Sequence, residues 1–500
     1  MKRDASFLLV LELGVMMYSH GITLLGLGPG DPMLLTRQAW QALETSTEIY
    51  VRTRQHPVLD SLSARLEIHS FEHLYDSGQT LEGTVRQIVE EVLELGRRPQ
   101  GVIYATPGHP LIADAISLEI SRRAQDEAIP IRIIDGISFL DVVFSELHVN
   151  PLPQTSIVDA LELVSAHVTS FPPDAPAVAV QIHSREIASS LKRTLLEVYP
   201  PDHPVRLFLG AGTPGVSIQE FPLSELDRAD TFDSSSSLYI PPLGNGTSFE
   251  AFQEVIAHLR APEGCPWDKE QTHESLRPHL LEEAYEVLAA LDSGDPDAMR
   301  EEFGDLLLQI VLHAQIASEY GEFRMADLLR GVHTKIVSRH PHVFGELDLK
   351  DAQDVLNNWE RLKAAERQSK GEKEKGLLDG VPSALPALLQ AQTYQERAAR
   401  VGFDWPDVQG VLDKLYEEWK EFNVAPIERQ SDELGDLLFA AVNLARWYSI
   451  DAENALREAN ARFKKRFAVI ESAARSAGRR LDDLTLEEMD AHWNRAKREE

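Results

Sequence analysis

Leu281-Glu282-Glu283-Ala284-Tyr285-Glu286 followed by Glu302-Phe303-Gly304-Asp305 decides how this chain reads, because the arrangement returns as Tyr416-Glu417-Glu418-Trp419-Lys420-Glu421 with Glu433-Leu434-Gly435-Asp436. Each is an EExxE…ExxD pair. Residues three and four apart share a helical face, so Glu283 with Glu286 and Glu302 with Asp305 point two carboxylates in one direction, as do Glu418 with Glu421 and Glu433 with Asp436. Two such helices side by side gather four carboxylates. Magnesium takes one or two carboxylates and leaves its other positions to water and phosphate oxygens, so four acids suffice for more than one ion. The fitting ligand is a nucleoside triphosphate. The second helix of each pair runs from its acids into apolar sequence, Leu306 to Leu312 and Leu437 to Val442, which predicts that these helices are mostly buried. A buried carboxylate must be paired, protonated or metal-bound. One EExxE reads as a solvated helix face; two copies, each leading to ExxD inside an apolar helix, read as metal sites.

Outward from these repeats, composition sets limits. Five hundred residues at 43% hydrophobic content support about three packed domains. Lys+Arg of 49 against Asp+Glu of 80 gives 49 − 80 = −31, which argues against general nucleic-acid binding. The single cysteine, Cys265, excludes an internal disulfide and suits a reducing cytoplasm. Phe7 to Tyr18 is apolar but too short to span a bilayer and is interrupted by Glu12, so no membrane association is expected. Residues 1 to about 20 are expected to be a disordered extension, with Met16 or Met17 as the true beginning.

From Ile22 the pattern becomes alternating strands and helices. Ile22 to Gly28 reads as a buried strand running into the glycine turn Pro29-Gly30-Asp31-Pro32, then a helix from about Leu35 to Glu44. Further strands are expected at Gly101 to Ala105, Ile131 to Ile134, Ala177 to Ile182, Val205 to Gly210 and Ser237 to Ile240, giving a two-lobed α/β domain. Ser234 to Ser237, then Pro241 to Gly246, mark its end. Thr247 to Glu250 has capping-box spacing and opens a helix with Phe249, Phe252, Val255, Ile256 and Leu259 on its apolar face. A polar linker over 369–380 separates the two helical repeats. The expected parts are therefore 22–242, 248–368 and 381–500.

The helical half resembles the MazG family of all-α nucleoside triphosphate pyrophosphohydrolases from about residue 248 to the end. Beyond the acids, the resemblance rests on Leu259 to Asp268 with its Gly264-Cys265-Pro266-Trp267 loop, Gln271-Thr272-His273, Arg339-His340-Pro341-His342-Val343-Phe344, Trp359 and Lys363, Gly402-Phe403-Asp404-Trp405, and Trp493 with Lys497. It implies release of pyrophosphate at the α-phosphorus with Mg2+. Glu283, Glu286, Glu302 and Asp305, and in the second copy Glu418, Glu421, Glu433 and Asp436, would hold the metal. Glu282 and Glu417, which open each EExxE, join the catalytic set. Lys335, Arg339 and Lys363 would contact phosphates in the first copy, and Arg462, Arg466 and Lys497 in the second, where Arg462 stands in place of lysine. Four-helix bundles are implied, formed either between the repeats or across a homodimer or higher homo-oligomer.

The first half resembles the tetrapyrrole methylases, on Leu25-Gly26-Leu27-Gly28-Pro29-Gly30-Asp31-Pro32, on Pro107-Gly108-His109-Pro110 and on Ile134-Asp135-Gly136-Ile137-Ser138. His109 and Asp135 depart from that family's Asp and Pro. The resemblance implies an S-adenosylmethionine pocket built from Gly28, Pro29, Gly30, Gly108, His109, Pro110 and Ser138. Read from the residues alone, the glycines serve equally as tight turns at strand ends or as close approach to a nucleoside. Two further readings stay open: a nucleotide-sensing regulator with decayed sites, and a methyltransferase with accessory helical domains.

Overall fold

The computed structural model describes residues 21–499 except 76–79, 214, 234, 349–350, 352–353, 356–357, 360 and 363–375. The expected extension over 1–20, Ser234, Lys363 and most of the expected linker lie outside the described residues. The chain divides into two compact units, Met1–Leu328 and Leu329–Glu500.

In the first unit, five strands form a wholly parallel sheet ordered β3-β2-β4-β1-β5: β1 (Ile22–Gly26), β2 (Glu48–Val51), β3 (Glu67–Ser70), β4 (Val102–Thr106) and β5 (Ile131–Ile134). A parallel sheet must be covered on both faces. Alternation does this in β1, where Leu24 packs into one core with Ile88, Val92 and Ile120 while Leu25 packs into another with Ala39, Leu43 and Ile49. The flanking helices are α1 (Arg37–Thr45), α2 (Leu81–Gly96) and α3 (Ala115–Asp126). Helix α1 starts two residues later than expected because Thr36 is its N-cap and accepts from Ala39 N at 3.2 Å. After α4 (Phe139–Leu147) comes a second sheet ordered β6-β7-β10-β8-β9, from β6 (Ser156–Asp159), β7 (Ala177–Val180), β8 (Pro204–Leu209), β9 (Ser217–Pro222) and β10 (Ser237–Ile240), with α5 (Arg185–Leu196) packed beside it. Only β6 and β7 pair in parallel there.

Helix α6 (Phe249–Arg260) is capped by Ser248, whose hydroxyl accepts from Ala251 N, so the cap lies one residue beyond the expected Thr247. Val255, placed on its apolar face by the sequence, is exposed, while Ile256 is buried. Helices α7 (Arg277–Ser293) and α8 (Pro296–Glu319) pack together. Gly294 at φ +67° ends the first, and Asp295 with Pro296 begins the second. The core beneath them joins Ile256, Leu276, Val311, Leu312 and Ile316. It corrects one expectation: the buried residues of α8 are Gln309, Val311, Leu312, Ala314, Ile316 and Ala317, whereas Phe303, Leu307 and Ile310 are 41–50% exposed. The apolar run there winds around the helix, so part of it meets the packed neighbours and part faces solvent.

Helix α9 (Met325–Arg339) runs across the division between the units. The second unit carries α10 (Ala387–Arg400), α11 (Val408–Val424), α12 (Gln430–Trp447), α13 (Ala452–Ser476) and α14 (Leu486–Glu499). Helices α11 and α12 pack as α7 and α8 do, and α10 packs on α12 and α13. Leu434, Leu438 and Phe439 are again exposed at the acidic end. Among the described residues, no helix is long and apolar enough to cross a membrane.

Candidate functional site

Helix pairing brings three of the four expected carboxylates together in each repeat. Glu283 from α7 meets Glu302 and Asp305 from α8, with one oxygen of each inside a 4.8 Å group, and Glu418 and Glu421 from α11 meet Glu433 from α12 likewise. Glu286 and Asp436 are exposed and stand outside these groups. Burial pushes the Glu283 carboxyl above the usual range, and Asp305, Glu286, Glu302 and Glu282 push it further. Glu302 is raised by burial and then by Glu286, Glu301 and Asp305. One oxygen of Glu283 and one of Glu418, both Oε2, are buried without a hydrogen-bond partner. Such oxygens fit a hard cation, which would replace the water they have lost. Glu282 and Glu417 are exposed beside the clusters, 3.7 Å from His279 Nδ1 and 3.3 Å from Lys414 Nζ.

The two clusters differ in their cations. In the second, Lys414 Nζ lies 2.7 Å from Glu418 Oε1 and Arg429 Nη2 lies 2.8 Å from Glu433 Oε1, and the Glu418 bond raises the lysine's affinity for its proton. The residues four before Glu283 and Glu302 are His279 and Ala298. Sequence reasoning passed over Lys414 and Arg429, although the four-residue step before each acid was a usable signal.

The expected phosphate-contacting cations are arranged alike in the two copies where they are described. Arg339 lies over the Trp359 ring at 5.7 Å and Arg466 over Trp493 at 5.5 Å. Each places a guanidinium on an indole face. Lys335 and Lys497 are exposed on α9 and α14, and Arg462, also exposed, is 3.5 Å from Glu458.

Next to the second cluster opens a cavity of about 770 Å³, with Lys414, Glu418 and Asp436 on one wall and Tyr394, Trp405 and Phe439 among its apolar lining. Gln395 on α10 also lines it and is only 8% exposed. Its Nε2 donates to the Phe439 carbonyl at 2.8 Å, and its Oε1 has no partner. Asn443 Oδ1 accepts from Arg446 Nε at 2.9 Å and Nη2 at 2.8 Å, and that Nη2 also donates to Asp404 at 2.6 Å. Of these, Gln395, Asn443 and Arg446 were not legible in the sequence.

In the α/β part, the expected cofactor residues gather at the carboxyl ends of β1, β4 and β5, where ligands bind in open parallel sheets. Gly28 and Gly108, both at φ +70°, exchange backbone bonds of 3.2 and 2.7 Å, and buried His56 contacts the Gly28 carbonyl through Nε2 at 3.1 Å. A Cβ on Gly108 would meet nothing within 4 Å, so open space faces that turn; one on Gly136 would sit 2.1 Å from the Gly108 carbonyl. Pro29 and Gly30 adjoin Gly212 and Thr213, and Asp31 N donates to the Gly212 carbonyl at 2.8 Å. His109 Nδ1 accepts from Leu111 N, and its Nε2 lies 3.3 Å from Asp135 Oδ1. The ring thus stands between its own loop and the one that carries Asp135. Pro110 is buried, and Ser138 caps α4 in a box with Asp141.

Two family models match the chain: tetrapyrrole (corrin/porphyrin) methylases over residues 21–227 and the MazG nucleotide pyrophosphohydrolase domain over residues 271–344. An uncharacterized Bacillus subtilis protein, YabN, is 40% identical over 489 residues, spanning 96% of this chain and 99% of YabN. The nucleoside triphosphate pyrophosphohydrolase/pyrophosphatase MazG of Thermotoga maritima is 44% identical over 253 residues, 50% of this chain and 96% of the relative. Among solved structures, the cobalt precorrin-4 methyltransferase CbiF is similar at 15% identity and a TM-score of 0.34, covering 44% of this chain and 94% of its own. With a near full-length relative and a MazG relative covered almost end to end, the chain belongs to the MazG family and carries a tetrapyrrole methylase-like domain ahead of its MazG half.

Proposed function

We propose that the chain is a magnesium-dependent nucleoside triphosphate pyrophosphohydrolase of the cytoplasm, converting a triphosphate and water to the monophosphate and pyrophosphate. The observation that carries this reading is the paired carboxylate clusters, each with a buried, unpartnered oxygen. Glu283, Glu302 and Asp305, and Glu418, Glu421 and Glu433, would hold the ions, with Glu286 and Asp436 completing the set through water. Bound magnesium would supply charge neutralisation and a more acidic water. Exposed Glu282 and Glu417 would serve as proton acceptors beside the clusters. Arg339 and Arg466, steadied on their tryptophans, and Lys335, Lys363, Arg462 and Lys497 would meet phosphate oxygens. The working parts are read as 22–242, 248–368 and 381–500, joined by a linker over 369–380. Incubating the protein with a panel of triphosphates should release pyrophosphate only with a divalent metal. Orthophosphate as product, or activity after full chelation, would sink the reading.

The N-terminal part is read as a binder of S-adenosylmethionine or its demethylated product, on the open turn at Gly28 and Gly108. Calorimetry that gave no heat with either compound at millimolar concentration would leave that part a structural role. The exposed apolar residues Leu281, Phe303 and Leu307, matched by Tyr416, Leu434 and Leu438, support a homodimer or higher homo-oligomer in which a second copy covers them. A single monomeric species in sedimentation at micromolar concentration would refute this.

A further inference from the structure

We propose that the cavity beside the second acid cluster holds the substrate's base, and that Gln395 selects bases carrying an exocyclic amino group, as adenine and cytosine do. This rests on the triphosphate reading above and adds to it which group of the nucleotide is read.

Position comes first. The cavity has Glu418, Lys414 and Asp436 on one wall, so phosphates held by that cluster would leave the nucleoside beside Tyr394, Trp405 and Phe439. Aromatic faces suit a flat, weakly solvated ring, and about 770 Å³ accommodates a purine with its sugar.

The polar groups define what the ring must present. A carbonyl can only accept, so the 2.8 Å contact with the Phe439 carbonyl fixes the Gln395 amide with Nε2 toward that carbonyl. Its Oε1 is left as an acceptor, more than nine-tenths buried with its residue and without a partner. Asn443 is oriented the opposite way. Its Oδ1 is taken by the Arg446 guanidinium, itself anchored to Asp404, so the amide nitrogen is the group left to donate. Between them, the two amides offer one fixed acceptor and one fixed donor. An aminated base edge, with an exocyclic N–H beside a ring nitrogen, supplies the complement. The acceptor is recessed in α10, so the group that meets it must stand out from the ring, as an exocyclic amine does.

A buried acceptor left unpaired costs free energy, so a base lacking the amine should be rejected. The test uses the full chain with Glu283→Gln and Glu302→Gln to silence the first cluster, and compares ATP with purine riboside 5′-triphosphate, which keeps the ring nitrogens but lacks the amine. The expected result is a kcat/KM on the order of tenfold higher for ATP. Gln395→Met should bring that ratio close to one, while Asn443→Ala should slow both substrates and leave the ratio in place. Equal use of the two triphosphates by the otherwise unaltered second repeat would overturn the proposal even if Gln395→Met failed to fold. So would a ratio that survives Gln395→Met. If neither compound released pyrophosphate, the triphosphate reading would fall and this inference with it.

Discussion

Arg260 makes the most demanding structural prediction. Its side chain is only 4% exposed at the end of α6, where Nε and Nη2 donate to the two oxygens of Glu319 at 2.9 and 2.8 Å. Its Nη1 donates to the backbone carbonyls of Asp268 and Gln271, the latter at 3.2 Å. One guanidinium therefore ties α6, α8 and the segment that leads into α7 and Glu283. Replacing it in Arg260→Met keeps much of the apolar stem and removes every one of these bonds. Truncating one partner of a buried ion pair costs about 3–5 kcal/mol, but Glu319 is about one-third exposed and water will serve it. We therefore expect about 2 kcal/mol for local opening, or about thirtyfold faster exchange. The reporter is hydrogen exchange by mass spectrometry over residues 262–276, where Cys265 N donates to the Leu259 carbonyl at 2.8 Å and Lys269 N to the Cys265 carbonyl at 3.1 Å. Peptides from the first sheet serve as the control. Unchanged protection in 262–276, or equal loss in the control, would refute the clamp.

Three other outcomes are expected. Glu283→Gln with Glu302→Gln should lower pyrophosphate release without ending it, Glu418→Gln with Glu433→Gln should do the same, and all four together should leave none; abolition by either pair alone, in protein with unchanged circular dichroism, would show that the repeats do not act independently. Because Glu283 and Glu302 are raised in the folded protein, they favour it below the ordinary carboxylate range and lose that contribution as pH rises through their raised values. Magnesium should then stabilise the protein more at about pH 8 than at about pH 5 and release protons between ordinary and raised values, so calorimetric heats that do not vary with buffer ionisation enthalpy there would contradict the assignment. Gly136→Ala, whose methyl would collide with the Gly108 carbonyl, should weaken S-adenosylmethionine binding at least tenfold; unchanged affinity by calorimetry would remove the Gly28–Gly108 turn from the pocket.

Strands whose inward residues form continuous apolar runs could be read directly: Ile131–Ile134 and Ser237–Ile240 lie where the sequence places them, and Ile22–Gly26 within the expected stretch. Glu48–Val51, Ser156–Asp159 and Ser217–Pro222 escaped because their stability comes from partners far along the chain; Ser217–Pro222, an edge strand with Gln219 and Glu220, has no apolar run to betray it. The carboxylates were legible because helical spacing places them before any tertiary contact forms. Which three of each four converge depends on how the helices rotate against each other, and spacing does not contain that. Gln395 was hidden for a related reason. A glutamine in mid-helix resembles a surface residue until α12 covers it.

The acid clusters differ in what answers their charge when no ion is bound, and this gives the chain two distinct kinds of dependence on its medium. In the first repeat, no cation among the described residues pairs with Glu283, Glu302 or Asp305, so protons or ions drawn from solution answer their charge and hold α7 and α8 at their acidic ends. In the second, Lys414 and Arg429 are counter-ions tethered to the same helices, present at an effective concentration that dilution and chelators cannot lower. Falling magnesium would thus reach the protein in two stages, loosening one repeat while the other trades metal for lysine and arginine and keeps its shape.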